Sequence, residues 1–310
     1  RQAISDFYQK YYHHTADPKS EILPLMGSKE GIMFISMAFL NPGDKALIPN
    51  PGYPTYQSVT RLVEAEPVFY ALKADNQWQP DLKALDQMDL TAVKLMWVNY
   101  PHMPTGANAQ KDTFEKLIRW AKKKGILLVN DNPYSFVLTD QPQSMMSVPG
   151  AKEVGMELNS LSKSFNMAGW RVGMLLGNEE NINTVLKVKS NMDSGMFYGI
   201  QKGSIAALQA EESWFKKLNC VYTQRRKLIF ELADLLNTDF DIQSSGLFVW
   251  AKLLDNSKSS EEYIEEILQK HHVFIAPGNI FGSQGEGYIR FSLCVEAGQI
   301  SKAIERISKS

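Results

Sequence analysis

Residues 112–131 read DTFEKLIRWAKKKGILLVND, and the change of period inside this stretch decides the fold. Phe114, Leu117, Ile118 and Ala121 recur at three- and four-residue intervals, which is the spacing of one buried helix face. Asp112 can cap that helix with Glu115 three residues on, and Gly125 can end it in the left-handed conformation. From Ile126 to Asp131 the pattern becomes a short apolar run, which predicts a buried strand. A second such run, Val93–Asn99, precedes the helix. Strand, helix and strand in that order form a right-handed crossover between parallel neighbours.

Working outward, Lys45–Pro49, Val154–Leu158 and Val172–Gly177 read as further strands, with amphipathic helical segments between runs. The expected fold class is therefore α/β, a large domain whose mainly parallel sheet is covered by helices on both faces. Composition changes near residue 210. Glu211 to Asn237 reads as one long helix, with Leu218, Val221, Tyr222, Leu228, Ile229, Leu232 and Leu235 at helical spacing. Beyond it come a strand at Leu247–Lys252, a helix after Ser259 with Glu262 three residues on, a strand at Tyr288–Leu293 and a terminal helix. We expect a large domain at 1–215 and a smaller α/β C-terminal domain at 216–310, joined by the helix at about 211–237.

With 310 residues, 44% hydrophobic and 22% charged, the chain has the composition of a soluble globular protein with ample core. A net charge of −1 supplies no field toward nucleic acid or anionic membrane, so neither partner is expected. Cys220 and Cys294 are too few for a disulfide framework, which fits a reducing, cytoplasmic setting. No apolar run is long enough to span a bilayer, and no signal-peptide pattern opens the chain. The adjacent pairs His13-His14 and His271-His272 lack zinc-ligand partners at useful spacing, so no metal site is read. Arg1 opens in what reads as mid-domain helix, and residues upstream of it are expected to belong to the protein.

In open parallel sheets ligands sit beyond the carboxyl ends of the strands. Asn99-Tyr100-Pro101 follows one predicted strand, Asp131-Asn132-Pro133-Tyr134 another, and Val154–Leu158 runs into Ser160-Leu161-Ser162-Lys163. A lysine flanked by hydroxyls, with Arg171 eight residues on, suits an imine-forming cofactor that bears a phosphate. The alternative is a Ser/Lys turn between two strands. Asp131 closes an apolar strand, where a carboxylate needs a cationic partner such as a protonated pyridine nitrogen, or else caps the next turn. Tyr134 can donate to a phenolate oxygen or simply pack. Gly27-Ser28-Lys29-Glu30-Gly31 feeds an apolar helical segment, so its backbone amides can bind phosphate or be a plain helix start. Tyr53 and Tyr56, in a turn-rich stretch, can stack on a flat ring or pack within the loop. Arg290 lies inside the apolar strand Tyr288-Ile289-Arg290-Phe291-Ser292, and calls for a substrate carboxylate or a structural ion pair.

Taken together, these motifs resemble the class I/II pyridoxal-phosphate aminotransferases of fold type I, the aspartate aminotransferase superfamily, over nearly the whole chain. The resemblance implies pyridoxal 5′-phosphate bound covalently at Lys163, with Asp131 on its ring nitrogen and Tyr134 on its phenolate oxygen. It implies Tyr53 stacked on the ring, with Ser28 and Lys29 amides, Ser160, Ser162 and Arg171 on the phosphate, and Arg290 on the substrate carboxylate. It further implies a ping-pong transfer of an amino group between an L-amino acid and a 2-oxo acid, in a homodimer with a shared active site. A β-elimination lyase or decarboxylase on the same scaffold is one alternative, and a ligand-sensing domain of a transcription regulator is another.

Two departures stand out. The family reads Asn-Pro-Thr-Gly where this chain has Met103-Pro104-Thr105-Gly106, and a thioether cannot donate a hydrogen bond to the ring oxygen. Tyr134 then carries that oxygen alone, or His102, Asn99 or a water helps. The family also has several dozen residues before the point matching Arg1, including a tyrosine lent to the partner's phosphate site. The stretch from Asn191 to Phe197 resembles the subgroup containing LL-diaminopimelate and alanine-type aminotransferases, and shows no basic residue for a side-chain carboxylate.

Overall fold

The computed structural model describes residues 1–139, 141–255 and 257–309. Among these residues the strands form two sheets. The larger has seven strands: β1 (Ile22–Leu25), β2 (Lys45–Asn50), β3 (Glu66–Ala71), β4 (Val93–Asn99), β5 (Leu127–Asp131), β6 (Gly155–Ser160) and β7 (Gly173–Leu176), in spatial order β1-β7-β6-β5-β4-β2-β3. Neighbours from β3 through β6 pair in parallel, whereas β7 runs against both β6 and β1. Alternate residues of each central strand enter different cores. Met96, Val98 and Leu128 pack with the helices Gln2–Tyr12 and Thr113–Lys124, while Leu95, Trp97 and Val129 pack with Ser28–Phe39 and Pro54–Leu62. Helices thus cover both faces, which is why the strand sequences are mostly apolar.

The predicted helix spans Thr113–Lys124 and ends at Gly125 with φ 67°, as its sequence indicated. The capping box does not form there. Asp112 has φ −110° and ψ 2°, outside the extended backbone that aims a cap, and its carboxylate instead pairs with Lys116 at 2.6 Å. The box predicted at Ser259 and Glu262 is present. The long helix spans Glu212–Leu235, yet it buries Phe215, Tyr222, Ile229, Leu232 and Ala233 and leaves Val221 and Leu235 exposed. It precedes the second sheet, an antiparallel set of β8 (Thr238–Phe240), β9 (Phe248–Leu253), β10 (Ala276–Pro277) and β11 (Tyr288–Ser292), in order β10-β11-β9-β8. No helix of the described residues is long and apolar enough to cross a membrane.

Candidate active site

The carboxyl ends of β4, β5 and β6, with Tyr53 from the segment after β2, open onto a cavity of about 440 Å³. Lys163, Asp131, Tyr134 and Arg290 line it, as do Tyr53 and Asn99. Ser28, Lys29, Ser160, Ser162 and Arg171 line it too. The structure therefore gathers every site residue singled out from the sequence except Gly27, which lies directly behind Arg171. A larger cavity of about 510 Å³ lies along Arg1, Ile4, Leu23, Met174 and Leu208, but it holds none of these side chains.

Three chain segments meet in the cup around Arg171. Gly27 has φ 96° and precedes the first turn of the helix Ser28–Phe39, whose leading amides have no partners within the helix. A Cβ on Gly27 would overlap the Arg171 guanidinium, and one on Gly173 would come within 2.6 Å of the Ser28 nitrogen. Both glycines are needed for this close approach. Because β7 runs opposite to β6, its first residue, and Arg171 just before it, fall at the same sheet edge as the end of β6. Ser160 caps the single turn Leu161–Ser164: its Oγ accepts from the Ser162 nitrogen at 3.1 Å and lies 2.8 Å from Ser162 Oγ. Amides, hydroxyls and a guanidinium are the donor set a phosphate takes. Lys163, on that turn, lines the cavity, and its Nζ has no hydrogen bond or ion pair among the described residues.

Asp131 ends β5, fully buried. Tyr56 donates to its Oδ2 at 2.9 Å, while Oδ1 has no hydrogen-bond partner among the described residues. Burial pushes this acid up to about 6, with the Tyr56 bond opposing and the buried charge of Glu157 adding to the rise. A buried carboxylate with one open oxygen lining a cavity fits a cationic ring nitrogen. Tyr56 itself stacks on Trp97 at 5.0 Å and 8°. Its role as the holder of Asp131 went unread in the sequence, where the only signal is its position three residues after Tyr53 on the helix that Pro54 begins. Tyr53 meets Tyr56 edge-on at 5.6 Å and carries the Lys29 ammonium 5.5 Å from its ring centre.

Burial raises the Tyr134 hydroxyl, which stays protonated and able to donate. Asn99 is committed to backbone: its Nδ2 donates to the Asp131 carbonyl at 2.6 Å and its Oδ1 accepts from the Met103 nitrogen at 2.8 Å. His102 bonds Thr105 at 2.8 Å and does not line the cavity. Met103 does line it, and its sulfur accepts from Arg290 Nη1 at 3.4 Å. Arg290 has no carboxylate partner among the described residues. Its guanidinium lies between the rings of Phe248 and Phe281, at 4.0 and 4.4 Å, and burial lowers it to about 10. A planar cation held by aromatic faces, with its Nε unpartnered, is ready for a carboxylate.

Comparison with known proteins agrees with this geometry. The family profile described as aminotransferase class I and II matches residues 1–307. An LL-diaminopimelate aminotransferase of Halothermothrix orenii is 39% identical over 312 residues, covering 100% of this chain and 80% of its own. Among solved structures, apo-BacF from Bacillus subtilis superposes with a TM-score of 0.94 at 35% identity, over 99% of this chain and 79% of that one. An aminotransferase from Staphylococcus aureus gives 0.92 at 31% identity, over 99% and 82%.

Proposed function

The chain belongs to the class I and II aminotransferases, and from that premise we propose that the cavity around Lys163 holds pyridoxal 5′-phosphate and serves an L-amino acid and a 2-oxo acid in turn. The observation that carries this reading is the meeting, in one cavity, of an unpaired Lys163, an Asp131 with one open oxygen and a cup of phosphate donors. Ser28 and Lys29 amides, Ser160, Ser162 and Arg171 would hold the phosphate, Tyr53 would cover the ring, and Lys163 would bond the aldehyde carbon. When bound, the cofactor supplies an electron sink for the charge left at the substrate's Cα.

The chain's own residues supply the rest. Asp131 would keep a bound ring nitrogen protonated, because a buried carboxylate is stabilised by a cation. Arg290 binds the α-carboxylate through its fork and so fixes the direction of the Cα–H bond. Lys163 Nζ, once freed, would take that proton from Cα as general base and deliver it as general acid to the former aldehyde carbon. Tyr134 would donate to the ring oxygen. Residues 1–215 act as the large domain and 216–310 as the small one, which contributes Arg290.

We further propose a homodimer. Phe197 and Tyr198 are 75% and 65% exposed, and Trp170, beside Arg171, is exposed as well, more apolar surface than solvent contact favours. The donor to try first is LL-diaminopimelate, which the Halothermothrix orenii relative is named for. A panel of L-amino acids offered with 2-oxoglutarate should yield glutamate with ping-pong kinetics. Pyruvate and ammonia, or carbon dioxide, released from those donors without glutamate would replace this reading by a lyase or a decarboxylase.

A further inference from the structure

Asn50 ends β2, three residues before Tyr53, and its amide reaches across to the segment 278–285. Its Nδ2 donates to Ser283 Oγ at 2.9 Å, and its Oδ1 accepts from the Gln284 nitrogen at 3.0 Å. Two residues on, the Gly52 nitrogen donates to the Phe281 carbonyl at 2.8 Å. Gly282 has φ 125°, and a Cβ on it would overlap Asn50 Oδ1. The fit therefore depends on both partners, an asparagine on one side and a glycine on the other. At its centre is Phe281, whose ring lies 4.4 Å from the Arg290 guanidinium and edge-on to Trp250 at 5.8 Å.

The Arg290 side chain has one hydrogen bond among the described residues, the weak one to Met103 sulfur, and its buried Nε has none. Its orientation consequently comes from the two rings that sandwich it, not from a carboxylate or carbonyl. Phe248 is fixed within β9, whereas Phe281 sits on a short 3-10 segment tied down through Asn50 and Gly52. Bidentate binding of a carboxylate needs the guanidinium plane held within about 10–20°.

We propose that Asn50 is a positioning residue for the carboxylate site, holding through Ser283 and Gln284 the Phe281 ring that aims Arg290. The inference rests on the reading of Arg290 as the carboxylate anchor. Asn50 touches neither Lys163 nor Asp131, so its loss weakens carboxylate binding and leaves the proton transfer in place.

The test titrates the cofactor-loaded protein with glutarate, a dicarboxylate without an amino or oxo group, alongside KM and kcat. In Asn50→Ala and in Gly282→Ala the glutarate Kd and the substrate KM rise about tenfold, with kcat within about threefold of the parent. The double variant is no worse than either single, since both break one linkage. Asn50→Asp keeps an oxygen to accept from the Gln284 nitrogen, and its second oxygen can accept from Ser283 Oγ in place of the lost Nδ2 donor, so it restores binding. An Asn50→Ala protein that melts earlier but binds glutarate like the parent overturns the proposal and makes the contact a mere brace. Arg290→Leu separates the two levels. If it too binds glutarate normally, the anchor reading is wrong. If it loses glutarate while Asn50→Ala does not, only the role of Asn50 is wrong.

Discussion

At the scale of the residue, Asp131 carries the clearest electrostatic consequence. Its folded value near 6, against an ordinary 3.8, is raised, so folding favours the protonated acid. That contribution is fully present below about 4 and is lost as pH climbs through 6, a difference of ~3 kcal/mol. In the cofactor-free protein, Asp131→Asn removes this slope, and the gap in unfolding free energy between the two proteins changes between pH 4 and 7. A constant gap across that range would contradict the burial argument. Met103 gives a second prediction. Of the side chains considered for the ring oxygen, Asn99 is bound to backbone and His102 lies outside the cavity, which leaves Tyr134. Adding a donor stabilises the oxyanion, so Met103→Asn lowers the pH midpoint of the bound cofactor's visible absorbance, by about one unit for a charge-assisted hydrogen bond. Met103→Leu, which adds none, leaves the midpoint in place. Lys163, Arg171 and Arg290 were legible in the sequence because a cation in an apolar or hydroxyl-rich setting demands an anion or a covalent partner. Tyr56 and Asn50 were not, because a tyrosine or asparagine in a turn-rich stretch says nothing of which distant atom it meets.

At the scale of the element, the phosphate cup depends on backbone that can come close. Gly27→Ala places a side chain at φ 96° and against Arg171, and should cost about 1 kcal/mol or more in stability as well as displacing the guanidinium. Cofactor affinity should drop at least tenfold, measured by equilibrium dialysis; unchanged affinity would remove Arg171 from the cup. The reading of elements from the sequence succeeded where burial on both faces made a strand mostly apolar, as in β4 and β5. It missed β1 and β3, each interrupted by a proline, Pro24 and Pro67, and β3 is an edge strand with mostly exposed or half-buried positions. It also missed β8 and β10, which have three and two residues and exist only because β9 and β11 are there to pair with. The reversal of β7, which brings Arg171 to the crevice, has no local sequence signal at all.

At the scale of the whole molecule, a net charge of −1 gives no long-range steering, so recognition falls to the cations lining the cavity, and we assign it to Arg171 and Arg290. The exposed Phe197 and Tyr198 predict self-association: Phe197→Asp should shift the mass measured by light scattering from dimer toward monomer, while a parent protein that is already monomeric would contradict the proposed dimer. The central claim is that Lys163 is the residue that binds the cofactor covalently. Its most direct test is to load the protein with pyridoxal 5′-phosphate, reduce it with borohydride and map the peptides by mass spectrometry. The account predicts a single phosphopyridoxyl adduct on the peptide containing Lys163, absent from Lys163→Ala. An adduct on Lys29 or another lysine, or none, would contradict it.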